Sequence, residues 1–136
     1  MVAALRRSSR RRPRTDAWHS PIMATIADAR AAARHLPRSY EAVVGGHVKF
    51  RVGRYVYVAF SRDESLMGFA FPKELRAGLV DSEPDRYVMP TGIDLRYNWV
   101  IVRLGAVSRK EVRQLVVDAW AMCVPKSVAA AHRVGR

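Results

Sequence analysis

The chain has 136 residues, a length that fits one domain with a hydrophobic core of its own. Hydrophobic residues make up 49% and charged residues 26% of the sequence, which is typical of a soluble globular protein and excludes a largely disordered one. Lys and Arg number 24 against 12 Asp and Glu, so the formal net charge is +12. Such an excess of positive charge favours an anionic partner.

The single cysteine, Cys123, excludes an intramolecular disulfide, and a reducing cytoplasmic location is the simpler interpretation. The sequence lacks a His/Cys cluster with metal-ligand spacing and contains none of the Gly-rich phosphate loops or catalytic motifs. It also lacks the apolar run of a secretion signal or a membrane span. We therefore expect a cytoplasmic protein with no enzymatic activity, no metal, no cofactor and no membrane insertion.

Residues 1–22 contain six arginines among serines and prolines and show no helical or strand periodicity. This composition predicts a flexible basic tail, separate from one domain over residues 23–136. Two interpretations remain open for it. The tail is either an arm that gathers phosphates or a translated extension upstream of a start at Met23.

The Ala-rich segment 25–36 predicts the first helix, with Thr25 as its N-cap and Pro37 at its end. An antiparallel meander follows, because three β-branched and aromatic segments are separated by short polar turns: VKFRV (48–52), YVYVAFS (55–61) and LMGFAF (66–71). Pro72 then begins a short helix, PKELRAGLV, which we expect to end near Gly78 or Val80.

Two further strands are predicted at 86–89 and 99–104, so the sheet has about five strands. The last helix, 108–123, begins with a capping box of Ser108 and Glu111. Its apolar residues recur at helical spacing and should pack on the sheet: Leu115, Val116, Ala119 and Trp120. The expected fold is α+β, a two-layer sandwich of an antiparallel sheet covered by the N- and C-terminal helices.

Cations interleaved with aromatic residues are the main functional signal, since this mixture suits phosphate contact combined with base stacking. Lys49 and Arg51 share one side of their strand, and Trp99 and Arg103 share one side of theirs. The candidate nucleic-acid-binding residues are Lys49, Arg51, Arg54, Tyr55, Tyr57, Trp99, Arg103 and Lys126.

The first hairpin leaves its register open. An even-length turn at Gly53-Arg54 would place Lys49 and Arg51 beside the apolar residues Val56, Val58 and Phe60. An odd-length or bulged turn would place them beside Tyr55 and Tyr57. We favour the bulge, because it gives the cleaner apolar side for the core.

Several short segments in this order resemble the MmcQ/YjbR family over roughly residues 24–130: Phe50-Arg51-Val52-Gly53, Phe71-Pro72-Lys73-Glu74, Trp99-Val100, Arg103-Leu104, Ala119-Trp120 and Pro125-Lys126. The resemblance implies a CyaY-like fold, described as a double-wing DNA-binding motif. Iron delivery, known for the frataxin branch of that fold, is disfavoured, because the first helix carries Arg30 and Arg34 where an acidic ridge would be needed.

The function predicted from the sequence is non-enzymatic binding of DNA, or of RNA, through a basic sheet surface. The alternative is a protein-interaction module whose basic face binds an acidic partner.

Overall fold

The computed structural model describes residues 23–134. The basic segment 1–22 lies outside the described residues, so both interpretations of it remain predictions. The described chain forms one six-stranded sheet with the spatial order β1-β2-β3-β4-β6-β5, and all neighbours are antiparallel. Its strands are β1 (Ser39–Val44), β2 (His47–Val52), β3 (Tyr55–Phe60), β4 (Leu66–Ala70), β5 (Tyr87–Val88) and β6 (Trp99–Arg103).

Four α-helices lie in the described part of the chain: α1 (Ile26–Ala33), α2 (Lys73–Ser82), α3 (Arg109–Ala121) and α4 (Lys126–Val134). Short 3-10 turns occupy Gly92–Arg96 and Leu104–Ala106. None of these helices is long and apolar enough to cross a membrane. The six antiparallel strands and the four helices confirm the predicted α+β architecture.

The sequence placed the start of α3 correctly, and the capping box explains why. The Ser108 hydroxyl accepts a hydrogen bond from the Glu111 N–H at 3.1 Å, and the Glu111 carboxylate accepts one from the Ser108 N–H at 2.7 Å. These bonds satisfy two N–H groups at the helix start. The bond from the Ser108 backbone, aided by Arg86, also lowers the pKa of Glu111.

The sheet has one strand more than predicted, because β1 was missed. Its sequence, SYEAVV, includes Glu41 and Ala42, which have low strand propensity. The pairing with β2 depends on the turn Gly45-Gly46, where φ is +60° and +83°. Both angles suit the tight turns that join antiparallel strands. The helix α2 also continues to Ser82, beyond its predicted end.

The core lies between the sheet and the pair α1 and α3, which pack against each other. Trp120 of α3 is its largest fully buried side chain, with 1% of its surface exposed. The indole Nε1 donates a hydrogen bond of 2.8 Å to the carbonyl of Pro37, just before β1. The predicted burial is confirmed for Val116, Ala119 and Trp120, and Leu115 is partly buried against the same core.

Replacing Trp120 by alanine should lower the free energy of unfolding by about 3–5 kcal/mol, because it leaves a cavity in the core. Trp120→Phe should cost about 1–3 kcal/mol, since the Pro37 carbonyl then lacks its donor. Urea denaturation of the full chain measures both. Leu75→Ala, at a position that is 60% exposed, is the control and should change stability by less than about 0.5 kcal/mol. A Trp120→Ala protein as stable as this control would contradict the assignment of the core.

Candidate nucleic-acid interface

The sheet has an outer face, opposite α1 and α3. The register connects a row of residues across four strands, since Lys49 lies opposite Ala59, Ala59 opposite Gly68, and Gly68 opposite Ile101. Because side chains alternate along each strand, residues two positions away share this face. The outer face includes Lys49, Arg51, Val56, Ala59, Trp99, Ile101 and Arg103, and none of these seven is fully buried.

The charges of the strands are separated between the two faces. The six strands contain three Lys or Arg residues and one acid. The three cations, Lys49, Arg51 and Arg103, lie on the outer face. The acid, Glu41, lies on the helix side, where the Arg30 Nε of α1 is 3.1 Å from its carboxylate. The outer face therefore presents positive charge without a carboxylate from any of the six strands in residues 23–134.

Arg51 has an unused hydrogen-bond donor. Its Nη2 donates to the Arg54 carbonyl at 3.3 Å. Its Nε is the one buried side-chain polar atom without a partner among the described residues. A buried guanidinium N–H without an acceptor is unfavourable, so Arg51 retains an unsatisfied donor in this conformation.

A groove of about 690 Å³ runs across the outer face. Its floor includes Val56, Ala59 and Trp99. One side is lined by Arg54 and Tyr55, at the turn between β2 and β3. The segment 92–98 provides the other side with Asp94, Tyr97 and Asn98. His47, Ala70 and the residues at the end of α3, Met122 and Cys123, complete the lining.

Trp99 can lie in this floor because β4 has a glycine beneath it. A Cβ atom built on Gly68 would be 2.6 Å from the indole Nε1 and 2.7 Å from Cε2. Real Cβ atoms do not approach other atoms so closely, so any side chain at position 68 would displace the indole. Gly68 thus defines the position of the aromatic floor.

The wall at 92–98 is held by Arg76, a residue that the sequence predictions missed. Arg76 lies in α2 with 8% of its surface exposed. Its Nη1 donates to the carbonyls of Tyr97 and Trp99 at 2.8 and 3.2 Å, and its Nη2 donates to the carbonyl of Leu95 at 2.6 Å. A usable signal existed, because Arg76 precedes the apolar Leu79 and Val80 by three and four residues and so shares their helix face.

The candidate residues are not all at one place. Lys49, Arg54, Tyr55 and Trp99 line the groove together. Arg103 shares the outer face but lies on β6, about 14–15 Å from β2 across three strand spacings, and its Nη1 donates to the Pro84 carbonyl at 3.0 Å. Lys126 is exposed at the first residue of α4, three residues after the groove residue Cys123.

Tyr57 lies in the core, so the expectation that it shares a face with Lys49 and Arg51 is wrong. The favoured bulge is not at the turn, because Gly53-Arg54 form an even, two-residue turn and Tyr55 lies opposite the buried Val52, not beside Arg51. The bulge instead falls within β3, where the partner of Arg51 is Val56 and the partner of Phe50 is Val58. Tyr57 is the extra residue of this bulge and turns towards the helices.

The environment of Tyr57 agrees with this position. The side chain is fully buried, its ring centroid lies 6.2 Å from that of Phe50, and its hydroxyl is hydrogen-bonded to the Ser39 hydroxyl. Burial raises the pKa of Tyr57 to about 12. A ring in this position does not stack on a bound base.

Comparison with known proteins gives a family and a fold. The family model YjbR matches residues 34–122. The crystal structure of the Deinococcus radiodurans protein DR2400, family-model domain DUF419, is similar, with a TM-score of 0.66 and 21% identity over 77% of this chain and 82% of that chain. At this identity the likeness shows the fold alone. No curated protein matches the chain significantly.

Gly68→Ala should lower the free energy of unfolding by about 1–3 kcal/mol, because the new methyl group overlaps the Trp99 indole. Gly78→Ala is a matched control, since Gly78 lies in α2 and a methyl group added there would have no neighbouring atom within 4 Å. That change should stabilise the protein by about 0.5–1 kcal/mol. Urea denaturation compares the two variants, and equal stability of both would contradict the close contact between Gly68 and Trp99.

The raised pKa of Tyr57 predicts a loss of stability at high pH. Its ordinary value is 10.0 and its folded value is about 12, so the stabilisation is fully present below pH 10 and is lost as the pH rises through 12. A shift of this size corresponds to about 2–3 kcal/mol. Denaturation midpoints of the parent and of Tyr57→Phe between about pH 9 and pH 12 measure it. The variant should lose less stability than the parent; parallel curves would contradict the buried position.

Proposed function

This chain belongs to the YjbR family, and we propose that it is a non-enzymatic protein that binds nucleic acid, DNA in the first instance, through the outer face of its sheet. One observation supports this most directly. All three cations of the strands lie on that face, and the one strand acid lies on the other. A polyanion that approaches the outer face therefore meets attraction without opposition from strand carboxylates.

Within residues 23–134 the cations of the outer face make no ion pair, so their charge is not neutralised by a protein carboxylate. The ion pairs of the described residues join Arg30, Arg86 and Arg109 to acids. None of these pairs uses Lys49, Arg51, Arg54 or Arg103. Phosphates are bound mainly by Lys and Arg and by backbone N–H groups, so free cations on one surface are what a nucleic-acid backbone requires.

Arg51 is the strongest single candidate for a phosphate contact. Its Nε has no acceptor within the described part of the chain, and a phosphate oxygen supplies one once the side chain turns outward from its buried position. Hydrogen bonds between guanidinium and phosphate are charge-assisted and stronger than neutral ones. Lys49, two residues before it on the same strand face, adds a second charge to the same backbone.

The groove favours binding over catalysis. Its nucleophilic candidate is Cys123, and burial raises the pKa of that thiol. The thiol is therefore protonated at neutral pH and a weak nucleophile. Within residues 23–134, no group of three or more His, Cys, Asp or Glu residues could hold a metal ion.

The double variant Lys49→Glu, Arg54→Glu tests the proposal. Neither side chain forms a hydrogen bond within residues 23–134, so the fold should tolerate both changes. If each residue neutralises one phosphate, the slope of log K against log salt should become flatter by about two units, at about 0.9 per phosphate. Fluorescence anisotropy with a labelled duplex, from about 50 to 200 mM salt, measures the slope.

The matched control is Lys110→Glu, Arg113→Glu on α3, where both residues are exposed. It changes the net charge by the same amount on the helix side of the sheet, and its slope should stay close to that of the parent. Equal slopes for the two double variants would exclude the outer face. Binding of poly-glutamate but of no nucleic acid would favour an acidic protein partner instead.

A further inference from the structure

We infer that the groove on the outer face takes single-stranded nucleic acid, with bases stacked on its aromatic side and phosphates along its cationic side. This inference rests on the proposed function, because the same face binds the ligand in both. It specifies that the nucleic acid is single-stranded and on which side of the groove its phosphate backbone lies.

Exposed aromatic side chains identify the chemistry of the ligand. Tyr55 is 63% exposed and Tyr97 is 57% exposed, and both line the groove with the half-buried Trp99. Exposed aromatic rings concentrated around one groove mark a binding site more often than a solvated surface. Flat ligands with π faces match them, and nucleobases combine such faces with a phosphate backbone.

The charges of the groove determine on which side the nucleic-acid backbone lies. Lys49 and Arg54 belong to the β2–β3 hairpin, on one side. Asp94 is the one acid in the described lining, and it lies on the opposite side with Tyr97. Phosphates are attracted to the hairpin and repelled from Asp94. The backbone therefore follows the hairpin, and the bases extend over Trp99 towards Tyr97.

The bases of an intact duplex cannot stack on these rings, so a duplex contacts the groove only through phosphates on its cations. In a double helix each base face is covered by its neighbours, and proteins reach a face only after unpairing the base. In a single strand the faces are free, and open sheets with exposed aromatic residues bind single strands by stacking two or three bases. The outer face of this sheet has the same combination of features.

The aromatic platform is already in place before the ligand binds. Arg76 fixes the backbone at Leu95, Tyr97 and Trp99 through three carbonyls, and Gly68 lets the indole lie on β4. Little ordering of the protein is then needed on binding, which favours affinity. Because Arg76 holds the carbonyl of Tyr97 and not its ring, truncation of the ring should leave the wall intact.

Tyr97→Ala is the decisive variant, with Tyr97→Phe to restore the ring and Leu75→Ala as an exposed apolar truncation outside the groove. Anisotropy would measure Kd for labelled oligothymidine of about twelve nucleotides, for a duplex of equal length, and for oligouridine. The parent should bind the single strand more tightly than the duplex. Tyr97→Ala should weaken single-strand binding about 5- to 150-fold, while Tyr97→Phe and Leu75→Ala should bind like the parent.

The outcomes separate this inference from the proposed function. Tighter binding of the duplex, together with an unchanged Kd for Tyr97→Ala, would overturn the inference, while a flattened salt slope for Lys49→Glu, Arg54→Glu would leave the proposed function standing. Failure to bind any of the three probes would overturn both. Binding of oligouridine as tight as oligothymidine supports the inference, because stacking uses base faces that RNA and DNA share.

Discussion

In the described part of the chain, α1 and α3 pack on one face of the sheet, and that constraint decides which residues are able to function. Trp120 fixes α3 to the chain before β1 through the Pro37 carbonyl and fills the centre of the core. The central strands β2, β3, β4 and β6 then place their buried apolar residues on the helix side. Residues on the outer face contribute less to folding, so these positions are free to carry cations and aromatic rings.

The bulge in β3 makes this division possible in the middle of the sheet. Strict alternation from the Gly53-Arg54 turn would have put Val58 and Phe60 on the outer face beside Lys49. One extra residue, Tyr57, resets the alternation, so that Tyr57, Val58 and Phe60 are all buried. The outer face consequently keeps only the smaller apolar residues Val56 and Ala59 at its centre, which leaves room for the groove.

Local signals explain what the sequence could predict. The helix α3 follows from a capping box and a helical repeat, and the common face of Lys49 and Arg51 follows from alternation within one strand. The existence of a bulge followed from the demand for an apolar face, but its location did not. A bulge depends on how two strands pair, and the sequence of one strand does not show which residue of its partner lies opposite each position.

Long-range contacts explain what the sequence could not predict. The strand β1 is stabilised by its pairing with β2, which outweighs the low strand propensity of Glu41 and Ala42. The contact between Gly68 and Trp99 joins two strands that are 31 positions apart at these residues. The helix face of Arg76 could be read from the sequence, but its partners could not, since they are backbone carbonyls, which every residue possesses and no sequence pattern marks.

The two sides of the groove depend on different parts of the fold. The cationic side belongs to a hairpin stabilised by strand pairing, whereas the aromatic side belongs to a connection that Arg76 holds by its backbone. Burial of an arginine without a carboxylate partner is unfavourable unless its donors are satisfied, and here three carbonyls satisfy them. The side chains of the connection then remain exposed, as Ile93, Leu95 and Tyr97 do. In the proposed mode of binding, phosphate attraction and base stacking can therefore change independently, because a substitution on one side leaves the support of the other side in place.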